Sequence, residues 1–171
     1  MADLDRRLIE DFIAAAVQSH ERARHLLLTH PELLESRYLH GETPLHFLAV
    51  ENFPEAVRFL ATLGANVNAT NSFGDAPLID VATLGNDVVA EILLSFGADP
   101  NAKSTTRDNV LHAAAGSGNA RLVRLLLDAG ADPHYRTDLD ECVIDALPAD
   151  PSSRDAVLGA LREHGVLPDA V

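Results

Sequence analysis

Three glycines set the frame of this chain. Gly64 in FLATLGAN, Gly97 in LLSFGAD and Gly130 in LLLDAGAD each close a leucine-rich segment, and they stand 33 residues apart. One period upstream lies Pro31, in the matching context LLLTHPEL. A second set of anchors keeps the frame: Gly41, Gly74 and Arg107 are 33 apart, as are His46, Ile79 and His112. Two independent anchors in one register point to stacked units, each burying its apolar face against the next.

Each unit reads alike. GETPLHFLAV, GDAPLIDVAT and RDNVLHAAAG open a short helix, and Thr43-Pro44 supplies an N-cap hydroxyl before a proline at the first helical position. Asn52, Gly85 and Gly118 fall where that helix must turn, a place that favours left-handed dihedrals. A second helix follows at period 3.6 in PEAVRFLATLG, DVVAEILLSFG and ARLVRLLLDAG, and it ends at the frame glycine. An extended, turn-rich connection then leads to the next unit.

These residues resemble the ankyrin repeat family, whose signature is TPLH-x-A at period 33. The resemblance implies an all-α solenoid of stacked helix-turn-helix units with β-hairpin-like loops. The expected domain plan is one array over 1–171: a capping unit at 1–39, repeats at 40–72, 73–105 and 106–138, and a second capping unit at 139–171. The N-terminal unit fits the frame without a gap, with Ala15, Ala16 and Ser19 on the helix and turn positions. The C-terminal unit, ECVIDALPADPSSRDAVLGALREHG, fits after a two-residue insertion, with Pro148, Pro151 and the serines lengthening the turn between its two helices.

Composition agrees with such an array. Apolar residues make up 47% of the chain, aromatics only 5%, and Trp is absent. The core is therefore built of Ala, Leu, Val and Ile, which suits close-packed helices. The single cysteine, Cys142, excludes an internal disulfide framework and predicts a reducing compartment. MADLDRRLIEDF lacks the apolar stretch of a signal peptide, and no run of about 18 apolar residues offers a membrane span. The expected location is cytoplasmic. A formal charge of −13 argues against nucleic acid and anionic membranes as partners and leaves basic proteins open.

No constellation assembles into a catalytic, cofactor or metal site. In the family the signature histidine bonds to neighbouring backbone and to the Thr hydroxyl; Ile79 and Ile13 fill its slot in other units. His46 and His112 thus read as scaffold. His20, His25 and His30 are five apart and share no helical face. Gly116-Ser117-Gly118-Asn119 lacks the rest of a phosphate loop, and Cys142 has no fixed histidine partner.

The residue before the signature Thr position is acidic in every unit: Glu42, Asp75, Asp108 and Glu141. Helices pack about 8–10 Å apart, so four carboxylates one repeat apart make a ladder ~30 Å long, suited to a Lys/Arg-bearing segment. The hairpin tips add Leu39, His40, Phe73 and Leu139 as candidate anchors. The resemblance implies protein binding through the concave face and loop tips, with no catalysis. The expectation is an interaction module or scaffold for a protein partner of basic character, monomeric because its ends are capped. The alternative is an acidic inhibitor or immunity-type protein that neutralises one basic partner.

Overall fold

The computed structural model describes residues 5–104 and 109–167. Nine α-helices lie in the described residues: α1 (Arg6–Gln18), α2 (His20–Thr29), α3 (Pro44–Val50), α4 (Pro54–Thr62), α5 (Pro77–Thr83), α6 (Asp87–Ser95), α7 (Val110–Ser117), α8 (Ala120–Asp128) and α9 (Pro151–Glu163). The first eight form four antiparallel pairs stacked in two layers, and α9 packs on α8. The first helices α1, α3, α5 and α7 pack side by side, and α4, α6, α8 and α9 form the second layer behind them. No described helix is long and apolar enough to cross a membrane.

Local chemistry places each boundary. Thr43 and Asn109 accept the backbone N–H of His46 and His112 as N-caps of α3 and α7. Gly64, Gly97 and Gly130 take φ of 92°, 85° and 92° just beyond α4, α6 and α8, the left-handed exit that lets the next connection begin. The core between the layers is aliphatic: Leu45, Leu60, Leu78, Leu93, Leu111, Leu122 and Leu126 are fully buried, with alanines between them.

Successive connections are riveted by a carboxamide ladder. Asn68 donates through Nδ2 to Gly97 O at 3.0 Å and accepts Asp99 N–H at 2.9 Å. Asn101 repeats both bonds one unit on, to Gly130 O at 3.1 Å and from Asp132 N–H at 2.8 Å. At the preceding step the Glu35 carboxylate accepts Asn66 N–H at 2.7 Å.

The C-terminal unit differs from the expected helix pair. Only its second helix, α9, forms; residues 143–146 make a turn. Cys142 stands where Thr43 and Asn109 cap their helices, and a thiol is a poor acceptor for an N–H. Here Asp145 Oδ2 accepts both Cys142 N–H at 2.8 Å and the thiol at 3.1 Å. That local closure, followed at once by Pro148, replaces the helix with a turn.

Candidate protein-interaction surface

The acidic row is set by hairpin closure. The carbonyls of Glu42, Asp75 and Glu141 accept the N–H of Tyr38, Asn71 and Thr137 at 2.8, 2.9 and 3.0 Å. Each residue is thereby held at the mouth of its hairpin, ahead of the first helix. Exposure varies along the row: Glu141 is exposed, whereas Glu42 and Asp75 are half-buried. Asp108 lies outside the described residues. Burial pushes the Glu42 carboxyl above its ordinary range, with the nearby Asp80 charge acting in the same direction and His46 against it. One Asp75 oxygen, Oδ1, is enclosed with no hydrogen-bond partner among the described residues.

Asp80 joins this group from the face of α5. Its neighbours one repeat away are Phe47 and Ala113, and two repeats upstream stands Ala14, so a carboxylate interrupts an otherwise apolar row. His46 explains how it is held. The imidazole is completely buried, and its Nε2 lies 2.8 Å from Asp80 Oδ2, across from α3 to α5. The ring thus ties one repeat to the next, as the scaffold role requires. It does so through a carboxylate, and Nδ1 has no partner among the described residues. His112 instead turns Nδ1 to its own cap, Asn109 Oδ1, at 2.8 Å and packs edge-on to Tyr135.

A groove of about 480 Å³ opens beside Asp75 and Asp80, floored by Ala113 and Gly116 of α7 and flanked by Thr83 and Ser117. A second hollow of about 300 Å³ lies on the same first-helix face, between α1 and α3. It is apolar, lined by Ile13, Val17, Phe47 and Phe53, and edged by Tyr38, whose hydroxyl bonds Glu10 at 3.1 Å.

Leu39 and His40 form a tight turn with His40 at φ 53°, and Ser72 N–H donates to His40 O at 2.8 Å. The His40 and Phe73 rings stand 5.8 Å apart, so these two adjacent tips touch. Phe73 is 58% exposed and Leu139 62%. Asp140 takes the left-handed slot, φ 61°, that Gly41 and Gly74 fill elsewhere.

Charge is arranged differently on the second layer. Arg121 of α8 pairs with Asp87 and with Glu91 of α6, the latter at 2.6 Å, and Arg124 grips Glu163 of α9 at 2.5 and 3.1 Å. Among the described residues, Glu42, Asp75, Asp80 and Glu141 have no Arg or Lys in an ion pair. No group of three His, Cys, Asp or Glu among them could hold a metal ion.

A family model described as ankyrin repeats (3 copies) matches residues 12–104 and 50–137. With the paired helices, the hairpin mouths and the 33-residue register, this establishes that the chain belongs to the ankyrin repeat family. Members are generally protein–protein interaction modules and typically non-catalytic scaffolds. No curated protein matches the chain.

Proposed function

We propose that this protein is a recognition module whose first-helix face and hairpin tips dock a basic segment of a protein partner. The observation that carries the reading is the contrast between the hairpin mouths with α5 and the Arg-paired carboxylates of α6 and α9. Asp87, Glu91 and Glu163 of the second layer are neutralised by Arg121 and Arg124, whereas among the described residues Glu42, Asp75 and Glu141 pair with no Arg or Lys and Asp80 meets only the His46 imidazole. Carboxylates without an Arg or Lys partner beside a partly enclosed groove raise the local concentration of cationic partners and fix their register. Exposed Leu139 and the touching His40–Phe73 pair supply apolar contact at the rim. Docking on a preformed solenoid surface needs little rearrangement.

The test is affinity capture from lysate of the source cells with three baits: wild type, the triple variant E42K/D75K/E141K, and a second-layer control, E55K/D155K. A partner held by wild type and control and weakened about a hundredfold in the triple variant supports the reading, at ~1 kcal/mol for each reversed pair. Equal retention by all three baits rejects it.

A further inference from the structure

The groove beside α5 is lined by two carboxylates, Asp75 and Asp80, and by the hydroxyls of Thr83, Ser104 and Ser117. Thr83 donates its hydroxyl hydrogen to Ile79 O at 3.0 Å, and Ser117 donates its own to Ala114 O at 2.8 Å. Both hydroxyls therefore offer the groove lone pairs only. Asp80 gives Oδ2 to His46 and leaves Oδ1 uncommitted. Asp75 adds a second carboxylate to the groove wall. Four acceptors thus line a space of about 480 Å³, and the small side chain of Ala113 and the bare Gly116 leave its floor open. A group that brings several donors and positive charge matches this lining.

We propose that this groove is the seat of one arginine side chain from the partner, received between Asp75 and Asp80 against the Thr83 and Ser117 hydroxyls. This rests on the protein-docking function proposed above and names the chemistry recognised at its centre. A guanidinium carries five N–H donors in a planar fork and no acceptor, matching several spread acceptors better than the compact ammonium of lysine. A metal ion is the poorer fit, since the described residues bring no three ligands together. The apolar hollow between α1 and α3 lies on the same face about two helix spacings away, or ~20 Å. An extended segment rises ~3.3 Å per residue, so the arginine and an apolar anchor would stand about six residues apart.

The experiment titrates N-acetyl-arginine amide into ¹⁵N-labelled protein and follows backbone amide shifts. Its neutral isostere, N-acetyl-citrulline amide, serves as the comparison. Arginine amide is expected to bind with a Kd on the order of 1 mM, the scale for a ligand of this size, with the largest shifts at Asp75, Ile79, Asp80, Thr83 and Ser117. The citrulline compound should bind at least tenfold more weakly. D75N should weaken arginine binding about fivefold. A113L, which fills the floor but keeps every carboxylate, should abolish the localised response. An unchanged response in A113L, equal binding of citrulline, or shifts spread evenly over the acidic surface would each overturn the proposal. If arginine amide finds no groove yet the triple variant still loses its captured partner, the pocket fails while the docking face stands. If the groove binds but capture is indifferent to charge reversal, the docking function fails alone.

Discussion

Glu42 shows what a single residue gives up to stand in this face. Its carboxyl is drawn out of water at the hairpin mouth beside Asp80, and burial raises its proton affinity in the folded state. A carboxyl whose folded pKa lies above its unfolded value favours folding at low pH, and that contribution is lost as pH rises through the folded value. At pH 7 the ionised group is therefore a small burden. Glu42→Gln should raise stability at pH 7 by about 0.5 kcal/mol, a figure kept small by the water Glu42 still touches. The gain should vanish below about pH 4, where wild-type Glu42 is protonated folded and unfolded alike. Urea denaturation of both proteins at the two pH values checks this; a gain that persists at low pH would mean that packing, not charge, is responsible. Asp80, the partner in this strain, was hidden in the sequence. It sits at a helix position that other units fill with Phe47 and Ala113, and the visible sign was one charged residue in an apolar row. The signature slots drew attention to the hairpins, and no spacing rule links position 46 to position 80.

Among the elements, α3 to α8 were legible from leucine spacing and the frame glycines, with side-chain caps at Thr43, Asn109 and Asn119 and prolines opening α3, α4 and α5. The C-terminal unit was not, since its composition allows a helix over 141–147 and only the Asp145 carboxylate, folded back on Cys142, decides against it. As a result α9 has no first-helix partner of its own and depends on α8. Val157, Ala160 and Leu161 give it a buried face, while Arg124–Glu163 and His164 hold its end. The His164 ring reaches Ala160 O through Nδ1 at 2.9 Å and Asp128 through Nε2 at 3.1 Å. The bond to Ala160 O, aided by Asp128, raises the His164 pKa. For a histidine with a raised folded pKa, the stabilisation is complete below the unfolded value of about 6.5 and is lost as pH rises through the folded one. Replacing His164 by Gln should therefore cost about 0.5 kcal/mol more at pH 6 than at pH 8. Chemical denaturation of wild type and H164Q at both values measures the gap, and a gap of equal size would show that the charged ring contributes nothing to docking α9.

At the scale of the whole molecule, a formal charge of −13 acts on two equilibria in opposite directions. Free in solution, the array repels itself, so raising NaCl from about 20 to 500 mM should lift the thermal midpoint by about 2–4 °C, the equivalent of ~1 kcal/mol for a chain of this length. The same salt should loosen the complex with a basic partner, because it screens the attraction that brings the two together. Calorimetry on the free protein and salt elution of the captured partner give the two signs. Salt that weakens both, or strengthens both, would contradict the charge arrangement described for the first-helix face.

The carboxamide ladder gives this solenoid a direction. Asn68 and Asn101 each reach toward the C-terminus, gripping the carbonyl and amide of the following connection. Both of these links have a hand and a handle, and both come from backbone-matched positions 33 residues apart. A duplicated block cut at these rungs would find a handle above it and a hand below, whatever side chains it carried on the binding face. Position 134 holds a histidine where the next amide would stand, so the grammar that permits extension in the middle lapses at α8, and what lies beyond is held by side-chain packing and charge instead.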